Sequence, residues 1–347
     1  MSDIESRKQD HVDLSLDPSS QYDTRPFEAY RLPYKALPEI NLEDVSTETE
    51  LFGKKLSQPL IISSMTGGTK YAGTINKNLA IAAEAAHVAL GVGSQRIALE
   101  KREAIESFEL VRKHAPTAVL FANMGAIQLN NGRDVADYET VVRMIAADAL
   151  YLHINPLQEA IQPGGDTNYA GLLKKIEQLV AKLSVPVFVK EVGHGIDEAT
   201  AKALFDIGVA GVDVAGLGGT SYAWIEARRA GEDYYADWFR NVGVPTDEAV
   251  VGAARHKGER IVVASGGIRN PLAAVKARAL GADYVASARS FLKRAVVSAD
   301  ETIAAIEMAR RGIQITLFSC GVSNWQEAAN IQLIHTAETN YSDNPRI

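Results

Sequence analysis

The chain has 347 residues, 46% of them hydrophobic, one cysteine and a net charge of −7. A chain of this length buries about 75% of its unfolded surface, and one large α/β barrel accommodates it without a second domain. The acidic balance argues against nucleic acid as a partner, the lone Cys320 excludes an internal disulfide or a thiolate metal cluster, and no apolar run reaches the roughly 20 residues of a membrane helix. With no apolar leader in the first 30 residues, a cytoplasmic protein is expected.

Residues 1–57 are polar and interrupted by Pro18, Pro26, Pro33 and Pro38; they read as an N-terminal extension with one short helix over Ser6–Leu14. Eight short apolar runs between Pro59 and Phe291 then end in polar or glycine clusters: LIISSMTGG, LGVGSQR, VLFANMG, LYLHINPLQE, VFVKEVGHG, GVDVAGLGGTS, IVVASGGIRN and DYVASARSF. Helix-like segments separate them, predicted at Thr74–His87, Lys101–His114, Val135–Ala147, Tyr169–Leu183, Glu198–Ile207, Thr246–His256, Leu272–Leu280 and Lys293–Arg311. This alternation predicts a (β/α)8 barrel over residues 58–312, in which strand ends and the loops after them form the active face. The aromatic, charged stretch within Gly216–Gly243 reads as an insertion after strand six. Residues 313–347 are expected to form a further helix, Ser323–His335, and a disordered end.

Strand parity sorts the mouth residues. Tyr151, His153 and Asn155 share one parity and Leu150, Leu152 and Ile154 the other, so the polar row should face the barrel interior. Val119, Phe121 and Asn123, then Phe188 and Lys190, repeat the pattern. Lys190 ends an apolar strand, where an ammonium needs an anionic or carbonyl partner. It is either part of the chemistry or an ion pair with Glu191 or with a carboxylate across the barrel.

Ser265–Asn270 follows strand seven and Ser287–Arg289 ends strand eight. Gly266 and Gly267 let backbone N–H groups approach an anion, and Arg269 adds a planar fork. Loops after strands seven and eight form the usual phosphate site of this fold. GVGSQR lacks the third glycine and distant acid of a dinucleotide fingerprint, which leaves Ser94 and Arg96 as candidate anion ligands. Arg7 and His11, in RKQDH, share a helical face. Glu159 offers a hard oxygen for Mg²⁺.

Together these pieces resemble the type 2 isopentenyl-diphosphate isomerases, FMN-dependent barrel enzymes. RKxDH, SSMTGG, GSQR, ANMGA, HINPLQE, VKEVGHG, GGTS and SGGIRN occur in that family's order over almost the whole chain, and HINPLQE with MTGG and RKxDH is highly specific. The resemblance implies that Ser64, Met65, Thr66, Ser94, Asn123, Lys190 and Thr220 contact the flavin, with Lys190 near its N1–C2=O edge. Gly266, Gly267, Arg269, Ala288 and Arg289 would hold the FMN phosphate. Arg7, Lys8, His11, Ser94, Arg96, His153 and Asn155 would grip the substrate diphosphate, Gln158 would lie against the isoprenoid carbons, and Glu159 would bind Mg²⁺. The chain departs from many relatives at ASARSF, where they carry a glycine- or proline-containing turn, and this bears on Arg289.

The chemistry so implied is proton addition and removal at the N5 edge of reduced FMN, with NAD(P)H as the reductant that primes it and a homotetramer or homo-octamer as the assembly. Gln158 and Lys190 would be the side chains nearest the reaction. Glu226 could relay protons or simply pair with Arg228 or Arg229. A competing reading is an FMN-linked oxidase or dehydrogenase of a 2-hydroxy acid, for which His194 is the only candidate base; a third is a flavin-binding regulator without chemistry.

Overall fold

The computed structural model describes residues 3–336, with side chains from residue 9 onward. Eight parallel strands close into a barrel: β1 (Leu60–Ile62), β2 (Ala89–Gly91), β3 (Leu120–Gly125), β4 (Ala149–His153), β5 (Val187–Lys190), β6 (Gly211–Asp213), β7 (Ile261–Ala264) and β8 (Tyr284–Ser287). Each pairs with its sequence neighbours, and β8 closes on β1 through Val285↔Leu60 and Ser287↔Ile62. All eight are the runs expected from the sequence.

The strands obey the predicted parity. Ile62, Leu90, Leu120, Ala122, Leu150, Leu152, Val189 and Val212 face outward into the large helix-packed core. Ile61, Val119, Phe121, Tyr151, Phe188 and Val263 fill the interior. Phe121 and Tyr151 stack at 4.4 Å between centroids, and Phe188 meets both edge-on. At the opposite end from the mouth, Phe52 caps this aromatic column, 5.8 Å from Phe121 and 5.9 Å from Phe188. Phe52 sits in the turn between the paired strands Thr49–Leu51 and Lys54–Leu56, a hairpin within the extension that was not foreseen. Both turn residues, Phe52 and Gly53, have positive φ, the backbone that a two-residue hairpin loop requires.

Helices follow the strands at nearly the expected places. Val135–Met144 begins at an Asp134–Asp137 capping box, and Pro271–Ala279 begins at Asn270, whose side chain accepts from Ala273 N–H. The N-terminal helix runs Asp3–Leu16. After β6 come two helices, Tyr222–Ala230 and Asp233–Trp238, before the barrel helix Thr246–Ala254. No helix among the described residues is long and apolar enough to cross a membrane.

Two expectations about the C-terminal part fail. The single helix Lys293–Arg311 is two helices, Arg289–Ala295 and Ala299–Ser319, because Ser298 adopts extended backbone and caps the second by accepting from Glu301 N–H. The second of these runs past the boundary expected at residue 312. The tail helix Ser323–His335 does not form. Ser323 and Asn324 bond to Glu327, Trp325 is buried with its indole N–H donating to Asp283 O, and a single 3₁₀ turn, Glu327–Asn330, follows. Ile334–His335 then pairs with Tyr30–Arg31 as a strand. The expected disordered end lies outside the described residues.

Candidate active site

The strand C-termini open into one cavity of about 280 Å³. Every residue expected at the site whose side chain is described lines it. β1 supplies Ser64, Met65 and Thr66; the β2 loop Ser94 and Arg96; β3 Asn123; β4 and its loop His153, Asn155, Gln158 and Glu159; β5 Lys190; the β6 loop Thr220. The loops after β7 and β8 add Gly266, Gly267, Arg269, Ala288 and Arg289, and His11 reaches in from the N-terminal helix. The side chains of Arg7 and Lys8 lie outside the described residues.

At the β7–β8 end the backbone makes the cavity wall. Gly266 (φ +92°) and Gly267 (φ +75°) are in the left-handed region, and a Cβ on Gly266 would lie 2.1 Å from Gly216 O. Only glycine fits there. Arg269 donates to Gly218 O at 2.8 Å. Burial, then the positive charges of Arg25 and Arg289, push the Arg269 guanidinium below its ordinary pKa. Mutually repelling cations beside bare backbone suit a bound dianion such as a phosphate. Ser64 Oγ is buried in the cavity wall without a hydrogen-bond partner. The glycine cradle, the cation cluster and this orphaned hydroxyl are what an FMN would satisfy.

Arg289 differs from expectation in one respect. Its Nε and one terminal nitrogen donate to Ser15 O and Leu16 O, both at 2.8 Å. These carbonyls end the N-terminal helix, so Arg289 caps that helix while it lines the cavity.

At the β4 end the side chains hold one another. His153 Nδ1 donates to Asn123 Oδ1 at 2.8 Å, and burial together with the charges of Lys190 and Arg96 lowers the imidazole pKa to about 4. His153 is therefore neutral at pH 7. Asn155 Nδ2 donates to Gln158 Oε1 at 3.1 Å and to Glu159 Oε1 at 2.9 Å. Gln158 Nε2 in turn donates to Glu226 Oε1 at 3.0 Å.

Glu226 is fully buried, and it also pairs with His11 Nε2 at 2.7 Å and Arg229 at 2.6 Å. Burial alone would raise its carboxyl, but the hydrogen bond and charge of His11 and the bonds from Gln158 and Arg229 overcome it and hold the pKa at about 2. An acid this strong keeps its negative charge at neutral pH. Of the sequence alternatives for Glu226, pairing with Arg229 holds, and Arg228 pairs instead with Asp233.

Glu159 Oε2 accepts from Asp166 N–H at 2.8 Å, and Asp166 also pairs with Arg96 at 3.2 Å. Among the described residues no group of three or more His, Cys, Asp and Glu could hold a metal. A Mg²⁺ here would have Glu159 as its carboxylate ligand and take its other oxygens from ligand phosphate and water, which is a common way for this ion to be bound.

Lys190 is nearly buried. It donates to Glu191 O at 2.9 Å and lies 3.7 Å from Asp213 Oδ2, so its carboxylate partner is neither Glu191 nor a residue across the barrel but Asp213 on the neighbouring strand β6. The Glu191 carboxylate instead accepts backbone N–H groups of Val192, Gly193, His194 and Gly195. Asp213 escaped the sequence reading, although it ends β6 at the inward parity and in register with Lys190. His194, the base needed by the 2-hydroxy-acid reading, does not line the cavity. Its Nδ1 faces Tyr22 OH and Val242 O, and its Nε2 lies by Ala223 N.

Residues 165–335 match the family model described as FMN-dependent dehydrogenase. Among solved structures, a flavocytochrome b2 variant with pyruvate bound superposes with a TM-score of 0.69 at 18% identity, over 96% of this chain and 83% of the other. A mandelate oxidase variant with (S)-mandelic acid gives 0.67 at 16% over 96% and 98%. Such likenesses establish the barrel fold. Much nearer in sequence are proteins named isopentenyl-diphosphate delta-isomerase. The one from Nostoc sp. is 44% identical over 92% of this chain and 93% of its own length. That from Stutzerimonas stutzeri is 43% identical over 91% and 93%, and that from Pseudescherichia vulneris 41% over 96% and 97%. At this identity and coverage, the chain belongs to the type 2, FMN-dependent isopentenyl-diphosphate delta-isomerases.

Proposed function

We propose that the protein interconverts isopentenyl and dimethylallyl diphosphate at a reduced FMN, with Mg²⁺ on the diphosphate. The observation that supports this reading is one cavity whose lining joins Gly266, Gly267, Arg269 and Arg289 to His11, Arg96, Asn155 and Glu159, with Lys190, Gln158 and a neutral His153 in the same wall. When bound, reduced FMN supplies a proton donor and acceptor at N5 that an unactivated alkene demands and that the side chains here do not offer.

The chain's own residues then bind and orient. Gly266, Gly267, Arg269 and Arg289 hold the flavin phosphate, with Ala288 in the same wall. Ser64, Met65, Thr66, Ser94, Asn123 and Thr220 contact the ring and its ribityl chain. Lys190 would present its positive charge to the flavin's N1–C2=O edge and favour the reduced, negatively charged form. At the other end His11, Arg96, His153 and Asn155 receive the diphosphate, joined by Arg7, Lys8 and Ser94, and Glu159 shares Mg²⁺ with it. Arg96 exchanges its pairing with Asp166 for phosphate oxygens. Gln158, fixed by Asn155 and Glu226, lies against the isoprenoid carbons. NAD(P)H serves to reduce the flavin once rather than as a co-substrate, and the protein works as a homotetramer or homo-octamer in the cytoplasm.

An anaerobic assay with isopentenyl diphosphate, FMN, dithionite or NAD(P)H, and Mg²⁺ tests the reading. Conversion is expected only with reduced flavin and metal together, and turnover by flavin-stripped protein refutes it. Gln158→Ala should lower kcat at least tenfold with little change in FMN content; unchanged kinetics would reassign Gln158 to packing.

A further inference from the structure

Behind Lys190, just beneath the cavity lining, lies a charged group to which neither the flavin reading nor the diphosphate reading gives work. Asp213 is fully buried at the end of β6, in register with Lys190 on β5 and Val263 on β7. Its Oδ1 accepts from Ser265 Oγ, whereas Oδ2 takes no hydrogen bond and faces Lys190 Nζ at 3.7 Å. The Tyr151 hydroxyl, also fully buried, lies beside this carboxylate; burial and the carboxylate's charge hold the phenol well above its ordinary pKa. Immediately below, the barrel is filled by Phe121, Tyr151 and Phe188, so packing alone would favour an apolar residue at this level. A carboxylate in such a place costs desolvation free energy that a single ion pair offsets only in part. Its charge therefore calls for a use.

We propose that Asp213 is a positioning residue for the flavin: it fixes the Lys190 ammonium at the cavity floor and offsets part of the positive field that Lys190 presents, so that the pair together sets the reduction potential of bound FMN. This rests on the reading that Lys190 faces the flavin's N1–C2=O edge. A lysine alone in this weakly screened setting would favour the reduced, negatively charged flavin strongly. The carboxylate one strand away acts with the opposite sign. Ser265 belongs to the same device, because its hydroxyl bond turns one carboxylate oxygen toward β7 and leaves the other for Lys190.

The opposite signs make a test that a merely structural aspartate would not satisfy. The measurement is the midpoint potential of the FMN-loaded protein at pH 7, together with the FMN dissociation constants in both oxidation states. Lys190→Met should lower the potential. Asp213→Asn should raise it, with the preference for reduced over oxidised FMN rising about tenfold, equivalent to about 30 mV for a two-electron couple. Asp213→Glu should restore the wild-type direction, and Asp213→Ser provides the same neutral substitution if the asparagine variant does not fold. An unchanged potential in Lys190→Met would remove the lysine from the flavin and with it the reading on which the proposal rests. A lowered potential in Lys190→Met combined with an unchanged or lowered one in the neutral Asp213 variants would leave that reading standing and overturn the proposal. Equal weakening of oxidised and reduced FMN binding in those variants would likewise mark Asp213 as structural only.

Discussion

At the β7–β8 end of the cavity the backbone itself forms the wall, whereas at the β4 end buried side chains brace one another across three segments of chain. The first kind of site depends on φ angles and close approach at Gly266 and Gly267, so it tolerates almost no added atoms. The second depends on the Glu226 carboxylate satisfying His11, Gln158 and Arg229 at once, so it tolerates changes of shape but not an unpaired charge. One end is held locally. The other is held by a network that joins the N-terminal helix to the helix after β6.

The contrast ranks the expected effects of substitutions. Gly266→Val should be the most damaging, because a Cβ would overlap Gly216 O and the left-handed backbone disfavours a β-branched residue. A loss of about 3 kcal/mol or more and the release of most bound flavin are expected. Urea-unfolding midpoints and flavin content measure both, and wild-type values in both would mean the glycine loop is not the rigid element argued here.

Glu226→Ala should cost about 2 kcal/mol, discounted because His11 and Arg229 keep some contact with water. It should also free the N-terminal helix for limited proteolysis. Protection equal to the wild type would show that the helix is held by other contacts. Arg289→Leu removes two bonds to helix carbonyls and should cost about 1–2 kcal/mol. If Arg289 serves both ends, this variant weakens FMN and raises the KM for isopentenyl diphosphate; loss of only one of the two would assign it to that end.

The smallest effect is on pH dependence. The unfolded chain takes a proton on His153 below about pH 6.5 and the folded chain only near pH 4, so between these values the unfolded state binds more protons. Stability is therefore full above pH 6.5 and declines on acidification, by about 1 kcal/mol at pH 5.5. Glu226 adds a separate loss from about pH 4.5 down toward pH 2, since its folded carboxyl is the stronger acid. His153→Gln should flatten the upper part of a thermal-stability profile recorded from pH 7 to pH 5, and a profile unchanged by the substitution would contradict a neutral His153.

Much of the barrel was legible because its signals are local. A polar residue at every second position of LYLHIN can face only one way in a strand, which placed Tyr151 and His153 inside and Leu150 and Leu152 outside. The β7–β8 end of the cavity was legible for a similar reason, since two adjacent glycines after an apolar run report a backbone requirement. The tail misled because QEAANIQLIH has helix-forming composition; the turn built by Ser323, Asn324 and Glu327 and the docking of Trp325 against Asp283 outweigh that propensity. The short hairpin around Phe52 went unread because strands of three residues have too little alternation to show.

Sequence by itself determined the order of the eight strands, which face each mouth residue takes, and the chemical types gathered there. These follow from a period of two and from backbone geometry, neither of which needs a distant partner. Only the tertiary structure decided that Lys190 pairs with Asp213 rather than Glu191, that Glu226 joins His11 to Gln158, and that Arg289 grips the N-terminal helix. Those pairings span from 23 to 274 residues. Ring closure, helix packing and the desolvation of each charge select them together, and no stretch of chain contains all of those terms.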